Sequence, residues 1–141
     1  MPFVLDASLA LTWCFEDETT EASERVLDRL RADRAIVPSI WPLEVANSLA
    51  LAERRQRITR ARADQEIRRL LILPIEVAMI DTATAWHAVL PLARDHGLTA
   101  YDASYLELAL RSGLALATLD RRLIAAAAQL GIPLVADEQS S

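Results

Sequence analysis

Several residue types are scarce or missing in this 141-residue chain. It has only three glycines and no glycine-rich phosphate-binding motif, so chemistry based on a nucleotide cofactor is not expected. None of its 15 basic residues is a lysine, which excludes a lysine Schiff base and a P-loop lysine. Its single cysteine, Cys14, cannot form an intramolecular disulfide, and the apolar neighbours Trp13 and Phe15 predict a buried thiol.

Long apolar runs are also absent. No stretch approaches the roughly 18 to 20 residues that a membrane span requires, and no basic segment precedes an apolar one at the N-terminus. We therefore expect no membrane association and a cytoplasmic location. A hydrophobic content of 52% is ample for one core, so we predict a single domain over residues 1–137 and a short polar tail over residues 138–141.

Acidic residues outnumber basic ones, and the net charge is −5. Taken alone, this charge argues against nucleic-acid binding, because phosphate recognition normally requires a basic surface. If four of the acids face bound cations, however, the charges of the remaining residues nearly balance. The acidity would then be concentrated in one place.

Short apolar strands alternate with amphipathic helices along the chain. Predicted strands are at residues 3–5, 35–37, 75–80, 114–119 and 133–135, and predicted helices at 8–15, 21–32, 41–56, 59–71, 82–96, 99–113 and 120–131. Because most of the connections between strands contain helices, they are too long to be hairpins. The sequence therefore predicts an α/β fold with three layers, α/β/α, and a mostly parallel central sheet.

Acidic residues stand where such a sheet binds ligands. Asp6 and Asp120 directly follow predicted strands, and ligands of parallel α/β sheets bind at the carboxyl ends of the strands. Asp102 lies near the start of a predicted helix, three residues after Thr99. Each position also has a structural explanation, because Asp6 and Asp120 can cap helices, and Thr99 with Asp102 resembles a capping box. Taken one at a time, these acids leave both interpretations open.

Glu44 favours the functional interpretation, because a glutamate inside an apolar helix either faces a cleft or bears the cost of burial. If helices bring Glu44 and Asp102 to the edge where Asp6 and Asp120 lie, the four carboxylates form one cluster. Their mutual repulsion makes such a cluster costly without a cation. Oxygen ligands without a suitable cysteine or histidine set favour Mg²⁺ or Mn²⁺ over zinc.

The other conspicuous residues have simpler interpretations. Neither of the two histidines is expected to be a metal ligand. The arginine-rich segment over residues 54–69 could follow a phosphate backbone, but its interspersed acids also fit a solvated helix surface. Trp13, Trp41 and Trp86 have apolar neighbours in sequence, so we predict that all three lie in the core.

Four motifs, taken in order and spacing, resemble the PIN-domain ribonucleases and, within them, the VapC-type toxins of prokaryotic toxin–antitoxin pairs. The motifs are VLDAS around Asp6, PLEVANSL around Glu44, LTAYDASYLELA around Asp102 and ATLD at Asp120. The resemblance covers essentially the whole chain. It implies a Mg²⁺- or Mn²⁺-dependent endoribonuclease in which Asp6, Glu44, Asp102 and Asp120 are the catalytic and metal-binding residues.

The resemblance also implies further residues and partners. Ser8, Asn47 and Thr118 would be supporting polar residues, RNA would be the substrate, and a homodimer neutralised by a cognate antitoxin would be expected. Some members of the family carry another acid after the fourth, whereas Arg121 and Arg122 follow Asp120 here. We interpret these two arginines as candidate phosphate contacts.

The mechanism that we infer is metal-assisted hydrolysis of RNA phosphodiester bonds, in which the bound metal activates a water and neutralises developing charge. Two other classes with acids at strand ends do not fit. A phosphate-receiving signalling domain needs paired acids after the first strand and a lysine, and a haloacid-dehalogenase-like phosphatase needs a lysine and an aspartate where Ser8 stands. A non-enzymatic acidic module that binds a basic partner peptide remains the alternative, and metal-dependent activity distinguishes the two.

Overall fold

The structure is a computed structural model that describes residues 1–138. From residue 139 onward, the predicted polar tail lies outside the described residues. No helix within residues 1–138 combines the length and the apolarity needed to cross a membrane.

A parallel four-stranded sheet forms the centre of the molecule, with the strand order β3-β2-β1-β4. The strands are β1 (Phe3–Leu5), β2 (Ala35–Pro38), β3 (Ile75–Ala78) and β4 (Leu116–Ala117). All three residues of β1 are fully buried. Because successive side chains of a strand point to opposite faces, both faces of the sheet are covered here. The molecule therefore has the three-layer α/β/α architecture that the sequence predicts.

Helices occupy the connections and follow the last strand. They are α1 (Ala7–Leu11), α2 (Glu21–Arg29), α3 (Trp41–Arg54), α4 (Arg60–Leu71), α5 (Thr82–Thr84), α6 (Leu90–His96), α7 (Ala100–Ser112), α8 (Arg121–Leu130) and α9 (Val135–Glu138). A 3₁₀ helix spans Glu16–Glu18, and a π-helical segment, Ala85–Val89, joins α5 to α6. The side chains of Thr20, Thr59 and Thr99 accept backbone N–H groups at the starts of α2, α4 and α7. The helices predicted from residues 59 and 99 therefore begin where expected.

Helix α7 packs directly on the sheet, against β1, β2 and β4. Its buried apolar residues include Ala103, Leu106 and Leu108, and this packing holds the first turn of the helix, with Asp102, in place. Helix α1 packs against α3, which carries Glu44 in its first turn. The core therefore fixes the two helix starts that bear acids.

The structure corrects three local expectations. No strand forms over residues 133–135, because only Leu134 makes an isolated bridge to Leu116 before α9 begins. The predicted helix 82–96 is divided by its π-helical segment. Trp86, in that segment, is mostly exposed, whereas its neighbour Val89 is buried. Apolar neighbours in sequence do not decide which side of a helix faces the core.

The other predicted core residues are buried. Trp13 and Trp41 lie in the core, and Cys14 has almost no exposed surface. Burial raises the pKa of the Cys14 thiol to about 11, with a smaller contribution from the negative charge of Glu66. The thiol is therefore protonated at neutral pH and unreactive.

Candidate active site

Asp6 lies directly after β1, with its carboxylate almost completely buried. Its Oδ2 accepts hydrogen bonds from Ser8 Oγ at 2.5 Å and from Thr118 Oγ1 at 2.8 Å. Burial raises the pKa of Asp6, and the two hydroxyl groups oppose this by stabilising the ionised form. The same Thr118 hydroxyl accepts the Asp120 N–H at 3.0 Å, so it links the ends of β1 and β4.

Glu44 is half-buried in the first turn of α3 and is held by a residue from another helix. The hydroxyl of Tyr105, on α7, donates to Glu44 Oε1 at 2.6 Å and accepts the backbone N–H of Ala7 at 3.3 Å. One phenol therefore connects α3, α7 and the start of α1. Burial raises the pKa of Glu44, the Tyr105 hydrogen bond lowers it, and the negative charges of Asp6 and Asp102 raise it further.

Asp120 caps α8, as its structural interpretation predicts, whereas Asp102 lies in the first turn of α7, which Thr99 caps. The Asp102 N–H donates to Thr99 Oγ1 at 3.1 Å. Asp120 Oδ1 accepts the backbone N–H groups of Arg122 at 2.8 Å and Leu123 at 3.2 Å, which caps α8. Partial burial is the main cause that raises the pKa of Asp102. The negative charges of Asp120 and Asp6 raise it further, and the positive charge of Arg122 lowers it. Asp120 therefore caps a helix and also lies close enough to Asp6 and Asp102 to interact with their charges.

All four acids singled out by the sequence interact electrostatically at this edge of the sheet. The interactions link Asp6 to Asp120, Glu44 to Asp6 and Asp102, and Asp102 to Asp6 and Asp120. Within residues 1–138, however, no three histidine, cysteine, aspartate or glutamate side chains form a group compact enough to hold a metal ion. The carboxylates are within electrostatic range without converging, so their role as metal ligands stays a prediction.

The donor chemistry nevertheless fits a hard divalent cation. The four acids, together with Ser8 and Thr118, supply carboxylate and hydroxyl oxygens, and oxygen ligands are those that Mg²⁺ and Mn²⁺ prefer. Burial and mutual repulsion raise the pKa of three of the carboxyl groups, Asp6, Glu44 and Asp102. A bound cation would remove the repulsion between them.

The structure places the supporting residues unevenly. Ser8 and Thr118 contact the Asp6 carboxylate directly. Asn47 is exposed on α3, one turn after Glu44. Arg121 and Arg122 are exposed in the first turn of α8, next to Asp120. Because all three side chains are exposed, contact of Asn47, Arg121 and Arg122 with RNA stays a prediction that this geometry allows.

Sequence reasoning missed Tyr105. This residue is fully buried, and its hydroxyl reaches Glu44. The available signal was its position three residues after Asp102, which places both residues on neighbouring positions of one helix face. A buried tyrosine hydroxyl also requires a hydrogen-bond partner.

We expect the metal-free protein to become more stable as the pH falls from neutral toward the ordinary pKa values of carboxyl groups. The folded state raises the pKa of Asp6, Glu44 and Asp102, so ionisation at neutral pH favours the unfolded chain. This destabilisation disappears as the pH falls through the folded-state pKa values. Urea unfolding in EDTA at several pH values measures the effect.

The matched control for this experiment is a chain with Asp6→Asn and Asp102→Asn together, which should lose most of the pH dependence. Asp33 and Asp81, whose pKa values are lowered by hydrogen bonds, lose their stabilising effect only at more acidic pH. Equal pH dependence in the wild-type and the doubly substituted chain would contradict the prediction.

Comparison with known proteins identifies the family. A model of the PIN domain matches residues 3–130. The chain is also 30% identical over 123 residues to ribonuclease VapC3 from Pyrobaculum aerophilum, which covers 87% of this chain and 92% of that protein. The chain therefore belongs to the PIN-domain family. Within that family it is similar to a VapC ribonuclease, so the resemblance noted in the sequence is confirmed.

Solved structures share the fold. PAE2754 from Pyrobaculum aerophilum superimposes with a TM-score of 0.69 at 25% identity, over 89% of this chain and 84% of that one. VapBC2 from Rickettsia felis, bound to a DNA fragment from its promoter, gives a TM-score of 0.69 at 12% identity, over 95% and 97% of the two chains. FitAcB from Neisseria gonorrhoeae gives 0.64 at 19% identity, over 95% and 96%. The predicted α/β fold is thus confirmed.

Proposed function

We propose that this chain is a Mg²⁺- or Mn²⁺-dependent endoribonuclease that hydrolyses RNA phosphodiester bonds and acts as the toxin of a toxin–antitoxin pair. The observation that carries the proposal is the group of four electrostatically coupled carboxylates at the edge of the sheet, in a PIN-domain chain 30% identical to a ribonuclease. Three of these acids, Asp6, Glu44 and Asp102, have raised pKa values, and groups with perturbed pKa values occur preferentially at functional sites.

The residues of this chain would divide the catalytic work. Asp6, Asp102 and Asp120 would hold the cation, with Glu44 as a ligand or as the base that orients a water. A divalent cation, when bound, makes a bound water easier to deprotonate and neutralises charge on the phosphate. Hydrogen bonds from Ser8 and Thr118 orient the Asp6 carboxylate and favour its ionised form. Arg121 and Arg122 would contact the phosphates of the RNA.

Cleavage of total RNA by the purified chain tests this function, with Mg²⁺, Mn²⁺ or EDTA present. We expect discrete products that require the metal. A chain that produces no cleavage with either cation, and whose melting temperature neither cation raises, would instead support the non-enzymatic alternative, an acidic module for a basic peptide. Such a module would be indifferent to Mn²⁺.

A cognate antitoxin protein is the proposed partner. The relative in Pyrobaculum aerophilum is named as a VapC ribonuclease, and the structure from Rickettsia felis contains a VapBC pair. An antitoxin could neutralise this chain by inserting an arginine among the four carboxylates, since paired guanidinium and carboxylate groups form strong hydrogen bonds.

We also propose a cytoplasmic location and a single domain over residues 1–137. The PIN-domain match over residues 3–130 supports that extent of the domain.

A homodimer is proposed through an apolar edge surface formed by the end of α4 and by β3. Its exposed residues are Leu71, Ile72, Val77 and Met79. A groove of about 240 Å³ runs beside them, lined in part by Trp41 and Leu70. Because β3 is an edge strand of the described sheet and exposed apolar residues adjoin it, a second copy of the chain is the occupant that we propose.

We expect Leu71→Glu to weaken the dimer by more than about 10-fold, because a charge would have to be desolvated at the interface. Size-exclusion chromatography with light scattering, over a range of concentrations, measures the association. The control is Leu110→Glu, on the exposed end of α7, which should leave the dimer intact. A dimeric Leu71→Glu chain would exclude this surface, and a monomeric wild-type chain would exclude the homodimer.

A further inference from the structure

The arginine-rich segment, residues 54–69, differs in charge from the rest of the chain. It contains seven arginines and two acids, so it carries a charge of +5. The whole chain carries −5, which leaves −10 on the other residues. Such segregation of charge favours an anionic partner for the segment, unless acids from the rest of the fold neutralise its arginines.

Acidic side chains neutralise only some of these arginines. Glu66, which is almost completely buried, pairs with Arg62 at 2.9 Å and with Arg69 at 3.1 Å. Arg57 pairs with Asp17, from outside the segment, at 3.1 Å. Within residues 1–138, the other arginines of the segment are exposed and have no acidic partner: Arg54, Arg55, Arg60 and Arg68. A solvated surface of matched ion pairs therefore does not account for the segment.

A groove of about 280 Å³ connects one of the unpaired arginines with the acidic edge of the sheet. It lies between α1 and α3, which pack together, and its lining includes Ser8, Leu11, Ser48, Leu51 and Arg55. Ser8 Oγ donates to Asp6 Oδ2 at 2.5 Å. The groove therefore begins next to the most buried of the four carboxylates.

Helix α3 gives the groove its direction. Ser48, Leu51 and Arg55 follow Glu44 by 4, 7 and 11 residues, and these spacings put all four on one side of the helix. At 1.5 Å per residue, Arg55 lies about 16 Å from Glu44 along the helix axis. The groove thus leads from the carboxylates to a guanidinium group without an acidic partner.

Arg57 fixes the far end of the groove, which it also lines. Its guanidinium lies 4.3 Å from the centre of the Phe15 ring and donates two hydrogen bonds of 3.1 Å to the Asp17 carboxylate. Arg57 also lines a second cavity together with Arg60, the first residue of α4. Arg55, Arg57 and Arg60 therefore share one surface, on which only Arg57 is neutralised.

An RNA strand fits this arrangement better than a small anion or an acidic peptide. Guanidinium groups bind phosphates through paired hydrogen bonds. A single phosphate cannot contact both the carboxylate end of the groove and Arg55, whereas a strand that continues beyond the cleaved bond can. An acidic peptide could bind the arginines, but the carboxylates at the other end of the groove would repel it.

We propose that Arg55 and Arg60 form a phosphate-binding subsite for the part of the RNA strand that extends from the cleaved bond along α3. This inference rests on the proposed ribonuclease function and adds to it a binding site outside the carboxylate group. Both arginines bind the substrate and take no part in the chemical step. Their removal is therefore expected to raise KM and to leave kcat unchanged.

The test measures kcat and KM over a range of NaCl concentrations, with Mn²⁺ held constant. The substrate is a synthetic RNA oligonucleotide that contains a site cleaved by the wild-type chain in total RNA. Each phosphate contact of a single strand contributes about 0.7 to the slope of log affinity against log salt concentration. Arg55→Gln with Arg60→Gln should therefore reduce that slope by about 1.4 and raise KM at least about 10-fold at low salt.

Two control proteins accompany the doubly substituted chain. Arg31→Gln makes the same change of charge between α2 and β2, at the amino end of the strand and opposite the edge that bears the acids. It loses only an exposed ion pair with Asp28, so the slope and KM should stay unchanged. Arg55→Lys with Arg60→Lys keeps both positive charges and should restore the salt slope.

Shortened oligonucleotides separate RNA binding from a structural role of the two arginines. The wild-type chain should lose affinity when the nucleotides that reach the arginines are removed from one side of the cleaved bond. The doubly substituted chain should lose nothing further on the shortened substrate, because the contact is already missing. If it is weaker than the wild type by the same factor on every length, the arginines support the structure and the inference is wrong.

The remaining outcomes also decide the question. An unchanged slope and KM in the doubly substituted chain would overturn the subsite and leave the ribonuclease proposal standing. Inhibition of the wild type, but not of that chain, by polyglutamate, with an unchanged salt slope, would assign the arginines to an acidic peptide instead. Absence of RNA cleavage by the wild type with both cations would overturn the ribonuclease proposal, and the subsite with it.

Discussion

Replacing Asp6 with asparagine is expected to lower RNA cleavage by more than about 100-fold, because even partners that only orient metal ligands cost 10- to 100-fold when removed. The substituted side chain loses its negative charge, so it would hold a divalent cation poorly. Its amide oxygen can replace Oδ2 and accept the hydrogen bonds of the Ser8 and Thr118 hydroxyls. The bond that is then lost is the long one from the Ser8 N–H to Oδ1, at 3.4 Å. The geometry around β1 should therefore persist.

The stability of the Asp6→Asn chain is expected to equal or exceed that of the wild type at neutral pH without metal. Burial raises the pKa of Asp6, which means that the ionised carboxylate disfavours the folded state. Asparagine removes that buried charge. Thermal unfolding in EDTA, followed by circular dichroism, measures stability, and cleavage of total RNA with Mn²⁺ measures activity.

Asp64→Asn is the matched control, because it neutralises an exposed aspartate on α4 without touching the site. It should cleave RNA at the wild-type rate. Wild-type cleavage by Asp6→Asn would remove Asp6 from the catalytic group. Loss of both cleavage and folding would show instead that the carboxylate is required for the structure.

The second large effect is expected from Tyr105→Phe, which should lower cleavage by roughly 10- to 100-fold by releasing Glu44 from its orienting hydrogen bond. Phenylalanine also leaves the Ala7 N–H without its acceptor in a buried environment. Loss of a buried hydrogen-bond partner costs about 1–3 kcal/mol, and the free energy of unfolding should fall by that amount.

A pH profile separates this positioning role from a loss of stability. The Tyr105 hydrogen bond lowers the pKa of Glu44, so its removal raises that pKa and should shift the acidic limb of the cleavage profile to higher pH. The control is Tyr101→Phe, which removes a hydroxyl from an exposed tyrosine on the same helix. If Tyr105→Phe lowers stability while rate and profile stay unchanged, Tyr105 does not position Glu44.

Local signals predicted much of the fold. The helices predicted from residues 59 and 99 begin there, and Asp6 and Asp120 follow strands as expected. These features depend on residues within one or two turns of each other, so they can be read from neighbouring positions. Two predictions were wrong: that Trp86 lies in the core and that residues 133–135 form a strand. The first depends on which side of a helix faces the core, and the second on whether a neighbouring strand is available for pairing.

The candidate site was only partly predictable for the same reason. Four acids could be singled out because each stands at the start or end of an element, but their proximity was an assumption. The contacts that join them span long stretches of chain: the Tyr105 hydroxyl reaches Glu44 across 61 positions, and the Thr118 hydroxyl reaches Asp6 across 112. No pattern of neighbouring residues encodes such contacts.

The order of hydrophobic and polar residues therefore dictated which elements form, where the helices begin and which side chains can carry negative charge, because these are short-range properties. Packing of α7 on β1, β2 and β4 decided the rest. It buried the Tyr105 side chain, whose hydroxyl reaches Glu44, and left Leu110, on another side of the same helix, exposed. Which face of a helix meets the sheet depends on the whole core at once, and that is a property of the folded chain.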